Sequence, residues 1–187
     1  MRNFRRGRLN GQQRPSLQNN DYRIAKHMNS AKNPEKTNVM RVLDARKIRY
    51  ISHFYTPDAN LSGEDIARLL GEDPSCVYKT LVTQGKSGQH YVFVIPVAAE
   101  LDLKKAARAA GEKSVAMIPQ KELLPLTGYV HGGCSPVGMK KMFPTFVHLS
   151  AETQDRICVS AGRVGAQIEI ASGDLLAAVR CSTADLI

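Results

Sequence analysis

From Asn38 onward the apolar positions fall in short blocks whose period switches between helical and extended, with polar or glycine-rich breaks between them. In "NVMRVLDARKI" the residues Val39, Val42 and Leu43 share one helical face, and Ile48 follows just past its end. "IRYISHFY" alternates as a strand. "SGEDIARLLG" predicts a helix with Ser62 as cap, Glu64 and Asp65 in the first turn, Ile66, Leu69 and Leu70 as apolar face, and Gly71 as stop. "CVYKTLV" and "HYVFVIPV" are β-rich runs joined by the hairpin signal "TQGKSGQ". "LDLKKAARAAG" predicts a helix from an Asp102 cap to Gly111, "KSVAMI" a short strand, and "PQKELLPL" a helix opening at Pro119. Strands at "TFVHL", "RICVS" and "GAQIEIA" precede a closing helix, "SGDLLAAV", capped by Ser172. Strands come in pairs and helices interrupt them irregularly, so the pattern is no strict βαβ repeat. It predicts an α+β domain with a mixed, mainly antiparallel, strongly curved sheet.

Residues 1–37 break this pattern. They are rich in Gln, Asn, Arg, Gly, Pro and Ser, and too poor in apolar groups to offset the entropy of ordering. We read them as a disordered basic N-terminal extension, and residues 38–187 as one domain. The extension holds nine Lys/Arg against Asp21 and Glu35, a charge of +7 out of the chain's +9. "RRGR" suits sequence-independent phosphate contacts; an expression leader or a targeting segment are the other readings. No apolar run approaches the roughly 20 residues that cross a bilayer, so no membrane partner is expected and the cytoplasm is the expected location. The four cysteines form no Cys-x-x-Cys pair and none lies near a His at zinc-ligand spacing; no metal or other cofactor is expected.

Three places carry candidate chemistry. Lys79 sits inside the apolar strand run Val77–Val82, on the face of Val77 and Leu81. Burying a lysine there is costly without an anion, so it either snorkels from an edge strand or faces an anionic ligand. The stretch "TGYVHGGCSPVG", Thr127 to Gly138, is either a structural turn or a backbone cradle. Gly132-Gly133 permits positive φ and close approach of a ligand to N–H groups, and Ser135-Pro136 with Gly138 stiffens the second half of the loop. Its spacing fits neither a nucleotide-binding P-loop nor a hydrolase nucleophile elbow. Cys134 as nucleophile requires a base, and His131 three residues away in a loop does not by itself supply one. The turn "SAGRVGAQIE" contributes Ser160 and Arg163, the latter either lining the same site or solvated.

"VYKTLV", "VAAELDLKKAARAAG", "LTGYVHGGCSPVGMKK" and "VSAGRVGAQIEIASGDL", in that order, resemble the YbaK/EbsC family of free-standing aminoacyl-tRNA deacylases, which are related to the editing domain of prolyl-tRNA synthetase. The resemblance spans about residues 38–187. The family loop Thr-Gly-Tyr-x-x-Gly-Gly-x-Ser-Pro-x-Gly is met at every fixed position by Thr127–Gly138. The resemblance implies a partly open barrel with packed helices, and removal of the amino acid from mischarged tRNA, Cys-tRNA(Pro) above all and Cys-tRNA(Cys) besides. It implies that Lys79, flanked by Thr80, contacts the 3′ end of tRNA, and that Gly132 and Gly133 offer backbone groups to the ester. Tyr55 and Ser160 then line the pocket, together with Arg163, while Ser135 and Pro136 complete the loop. It further implies tRNA as partner, prolyl-tRNA synthetase as a second, and a mechanism that uses groups of the substrate rather than a protein nucleophile. Many relatives carry an aliphatic residue at the position of Cys134, so the motif requires no thiol. They also carry an Asp where this chain has Gln167. A non-catalytic tRNA- or synthetase-binding module of the same fold is the alternative.

Overall fold

A computed structural model describes residues 35–58 and 60–187; the extension predicted over 1–37 lies almost wholly outside them. The elements run α1 Asn38–Ala45, β1 Tyr50–Phe54, α2 Gly63–Leu70, β2 Tyr78–Gly85, β3 His90–Pro96, α3 Leu103–Ala110, β4 Val115–Met117, α4 Gln120–Thr127, β5 Thr145–His148, β6 Arg156–Ser160, β7 Ala166–Ala171, α5 Ser172–Val179 and β8 Ser182–Ala184, with 3-10 turns at Pro74–Cys76 and Leu149–Thr153.

The strands form two sheets. One has the order β1-β7-β6 and is antiparallel throughout. The other has the order β4-β2-β3-β5-β8; β4, β2 and β3 pair antiparallel, whereas β5 runs parallel to β3 and β8 parallel to β5. A single parallel bridge, Val77 to Cys158, links the two sheets where β2 begins and β6 runs. The sheets therefore meet along one seam without closing, as the expected open, mixed, mainly antiparallel architecture requires.

The main core lies between the inner faces of the sheets. Val92 and Val94 of β3 and Tyr78 and Val82 of β2 meet Ile157, Val159, Ile168 and Ile170 of β6 and β7, and α1 closes one end with Val39 and Leu43. Strand β3 is buried on both faces, because Tyr91, Phe93 and Ile95 pack on the far side against Ala106 and Ala107 of α3 and against Leu186. That explains the unbroken apolar run of "YVFVI". A third small cluster of Ala67, Val77 and Cys158 lies under α2.

Local chemistry sets the helix ends largely as the sequence predicts. Ser62 accepts the Asp65 N–H while the Asp65 carboxylate takes the Ser62 N–H, and Gly71 stops α2 at φ +70°. Asp102 caps α3 through the N–H groups of Lys104 and Lys105, and Gly111 ends it at φ +69°. Two expectations need correction. Helix α2 buries Ala67 rather than the Ile66/Leu69/Leu70 face, and Leu69 is 62% exposed, because only a narrow stripe of this short helix touches the sheet. Ser172 is the first residue of α5 and not its cap; its hydroxyl is buried and donates instead to the Ala151 carbonyl at 2.5 Å.

Candidate functional site

Strand alternation divides the chemistry of the β1-β7-β6 sheet between its faces. Ala166, Ile168 and Ile170 of β7 and Ile157 and Val159 of β6 point into the main core. Gln167 and Glu169 of β7, Arg156, Cys158 and Ser160 of β6, and His53 of β1 therefore take the other face. The register aligns them in rows: His53, Gln167 and Ser160 lie abreast on three adjacent strands, and Glu169 lies beside Cys158 in the next row.

The seam between the sheets brings Lys79 to this face. Val77 bridges Cys158 in parallel register, so two residues further along each strand Lys79 runs beside Ser160, on the side that Val77 and Cys158 occupy. Lys79 is half-buried, and its ammonium makes no ion pair or hydrogen bond to any described residue. Thr80 is on the opposite face of β2 with Tyr78 and Val82, and its hydroxyl is buried without a partner; the structure does not bring it together with Lys79.

The glycine-rich loop docks on the β6–β7 turn. A Cβ at Gly133 would lie 3.0 Å from the backbone of Arg163 and Val164, so only glycine allows the two turns to touch this closely. Gly132 takes φ +75° and is exposed, while Gly133 donates its N–H to the Val130 carbonyl at 3.0 Å. The Gly133 amide is thus engaged inside the turn. The N–H groups of Gly132, Cys134 and Ser135 have no acceptor among the described residues, so the backbone donors the loop can offer start from Gly132 and skip Gly133. Ser135 and Pro136 are buried, and Ser135 Oγ accepts the Val137 N–H at 3.4 Å; these residues brace the loop from within. Tyr129 adds a second brace, donating its hydroxyl to the Val137 carbonyl at 2.6 Å.

Tyr55 follows β1, and its N–H donates to the Gly165 carbonyl at 3.0 Å. Burial pushes its phenol above the ordinary value; a Gly165 backbone hydrogen bond partly offsets this, and the Glu72 carboxylate adds to the rise. Ser160 Oγ accepts the Gly162 N–H at 3.2 Å. Arg163 is exposed and lies 5.8 Å over the ring of Phe54, so this cation rests at the rim on an aromatic surface. The structure thus sets Lys79 beside Ser160 at the seam, Tyr55 against Gly165 at the end of β1, and the Gly132–Gly133 turn against the backbone of Arg163 and Val164, with Ser135 and Pro136 as internal supports of the loop.

Sequence reasoning missed the charged half of this face. Glu72 follows the stop of α2, and its side chain is 8% exposed, with neither carboxylate oxygen hydrogen-bonded. His53 Nε2 lies 3.9 Å from Glu72 Oε1 and 3.1 Å from Glu169 Oε2, and Arg156 Nε meets Glu169 Oε1 at 2.5 Å. Burial raises the Glu72 carboxyl above its ordinary value; His53 and the Cys158 thiol oppose the rise, and Glu169 adds to it. One signal was present in the sequence. An acidic residue just past a helix C-terminus faces the negative end of the dipole, so it is held there for another reason.

Other groups with the look of chemistry do not serve this face. Cys134 is buried, and desolvation pushes its thiol up to about 12 with only a small offset from Thr127, so the thiolate that a nucleophile requires does not form near neutral pH. Asp185, His148 and Ser150 line up with His148 Nδ1 2.8 Å from Ser150 Oγ and Nε2 3.7 Å from Asp185 Oδ1. Yet His148 also accepts the Ser150 N–H as the cap of a 3-10 turn, and Asp185 is paired with Lys105 at 2.8 Å. That array fastens the chain end. A shallow depression of about 250 Å³ lies by Thr37, Asn38, Gly162 and Arg163, but its Lys36 and Arg41 are paired with Asp44 and Glu35 and Lys79 is not in it.

Residues 56–178 match the aminoacyl-tRNA editing domain, and the chain belongs to that family. Among curated proteins it is 45% identical over 150 residues to a protein from Enterococcus faecalis assigned as a Cys-tRNA(Pro)/Cys-tRNA(Cys) deacylase, EbsC, covering 80% of this chain and 92% of that one. Among solved structures, a hypothetical protein aligns with a TM-score of 0.73 at 26% identity, over 80% of this chain and 98% of that one. A protein described as a trans-editing enzyme for prolyl-tRNA synthetase aligns at 0.71 and 24% identity, over 83% and 98%, which shows the shared fold.

Proposed function

We propose that the protein is a trans-editing aminoacyl-tRNA deacylase that frees the amino acid from mischarged tRNA, with Cys-tRNA(Pro) as first substrate and Cys-tRNA(Cys) as second. The observation that carries this reading is Lys79: a half-buried ammonium with no anion of its own, beside Ser160 and at the end of the face where the glycine loop meets the β6–β7 turn. A half-buried cation without a partner is held for an incoming anion, and the phosphate of a tRNA 3′ end supplies one.

The chemistry follows from the groups that the site contains and lacks. Cys134 and Cys158, which are buried, and the half-buried Cys181 lack the depressed thiol pKa of an activated nucleophile, because desolvation raises all three. The ester is then positioned by Lys79 and by backbone donors of the loop around Gly132, and attack comes from a group of the substrate itself or from water. Positioning and oxyanion stabilisation are the protein's contribution. Supporting the tRNA assignment are the family and the net charge of +9 concentrated in residues 1–37. Prolyl-tRNA synthetase is the proposed partner that supplies misacylated tRNA, and the cytoplasm the proposed place of action.

The test is release of amino acid from Cys-tRNA(Pro), Cys-tRNA(Cys) and Ala-tRNA(Pro) by the wild type and Lys79→Ala. Absence of release from every misacylated tRNA would sink the enzyme and leave the binding module.

A further inference from the structure

The polar face of the β1-β7-β6 sheet holds buried acceptors that no described donor reaches. Both oxygens of Glu72 and Oε1 of Gln167 are buried without a hydrogen-bond partner, and Gln167 is 7% exposed. The two residues flank the same group. His53 is the register partner of Gln167, and its Nε2 is 3.9 Å from Glu72 Oε1. His53 cannot satisfy them: its Nε2 is directed to Glu169 at 3.1 Å, where Arg156 also binds. The Cys158 thiol, the other neighbour of Glu72, is only a weak donor. Buried acceptors are seldom left bare in a native fold, because each forfeits its hydration with nothing in return. Of these three acceptors, the one on Gln167 lies one strand away from Ser160 and two from Lys79, and the two on Glu72 lie close enough to Tyr55 to raise its phenol.

A donor-rich cation small enough to enter would satisfy all three. A primary ammonium has three N–H donors and no acceptor, the complement of this set. An aminoacyl ester carries such a group on the carbon next to the carbonyl that reacts. We propose that Glu72, with Gln167 beside it, is the seat of the α-ammonium group of the aminoacyl ester. The inference rests on the deacylase reading for the identity of the ligand and adds to it the end of the substrate remote from the tRNA. Lys79 and Glu72 then hold opposite charges of one ligand, phosphate at the first and ammonium at the second, and so fix the direction in which the ester lies. A blocked amine, as in a peptidyl or N-acetyl ester, loses the charge and two of the three donors, so the seat discriminates against it.

The experiment uses the full chain and two stable 3′-amide analogues of a cysteinyl-adenosine 5′-monophosphate, one with the α-amine and one in which hydrogen replaces it, with binding measured by calorimetry. The wild type should hold the amine-bearing analogue about tenfold tighter or more, as a charge-assisted hydrogen bond in a sheltered site warrants. Glu72→Gln, which keeps the shape and removes the charge, should bind both analogues equally and unfold at the same or a higher temperature. Glu72→Asp keeps the charge at shorter reach and should retain part of the preference, which decides the matter even if the Gln variant folds poorly. Lys79→Ala should weaken both analogues alike and leave the preference intact. A wild type without preference, or a Glu72→Gln protein that keeps it, overturns the proposal. Neither readout needs turnover: an intact preference without deacylation of any tRNA removes the enzyme reading alone, and a lost preference with deacylation intact removes the ammonium seat alone.

Discussion

Lys79, Cys134 and Glu72 show how differently single residues declare themselves. Lys79 stood out because a cation interrupts an apolar strand, and the alternation of that strand also told which face it takes. Its location beside Ser160 was not legible, since it depends on a bridge between strands about 80 positions apart. Lys79→Ala should lower kcat/KM for misacylated tRNA by at least about 100-fold, in line with loss of a charge-assisted contact, while the melting temperature stays level or rises because an unpaired half-buried charge is removed. Cys134 draws attention by its residue type, yet its thiol is buried and stays protonated. Cys134→Ala should keep most deacylase activity, measured as released amino acid per enzyme. Glu72 was invisible as a pocket residue because burial of a carboxylate beside His53 arises only on folding. Its folded pKa is raised, so relative to the unfolded chain the native state is penalised once pH rises through that value, and the penalty is absent below the unfolded value. Melting curves should therefore show Glu72→Gln gaining on the wild type at neutral pH, with the gap closing toward acid pH.

At the scale of elements, most boundaries were written in caps and breakers. Ser62 and Gly71 bound α2, Asp102 and Gly111 bound α3, and the hairpin of β2 and β3 follows from its polar turn. Short β8 was missed because three residues of "STA" carry no period, and only its pairing with β5 makes them a strand. The Ser172 cap failed for a similar reason: the hydroxyl finds the Ala151 carbonyl, a tertiary partner that local rules do not see. The contact of the glycine loop with the β6–β7 turn was half legible. Paired glycines announce close approach but do not identify the approaching group, the backbone of Arg163 and Val164. Gly133→Ala should push those turns apart and cost about 1–3 kcal/mol in chemical denaturation. Gly165→Ala should cost a comparable amount, about 1–3 kcal/mol, because Gly165 has φ +84° and a Cβ there would meet the Tyr55 carbonyl at 2.8 Å. Both should depress deacylation, since the same two turns position the loop donors and Tyr55.

For the whole molecule, an α+β body with a mixed sheet was readable from the irregular order of strands and helices, and its openness from the family resemblance, but its division into two sheets meeting at one seam was not. That division matters, because the seam joins the unpaired lysine of one sheet to the polar face of the other. The charge concentrated in residues 1–37 carries a prediction of its own. Removing residues 1–37 takes away +7. Affinity for tRNA should then fall and become less sensitive to salt, as expected when phosphate contacts are lost, while deacylation at saturating tRNA persists. A truncated protein that binds tRNA as tightly, with an unchanged salt slope, would remove the extension from the account. The central claim is that a lysine without a counterion, placed at the seam, makes this fold an editing enzyme. The most direct measurement is the rate at which cysteine leaves Cys-tRNA(Pro) under single-turnover conditions, for the wild type and Lys79→Ala side by side. The account predicts rapid release by the wild type and near-background release by the variant; equal rates for the two, or no release by the wild type, would contradict it.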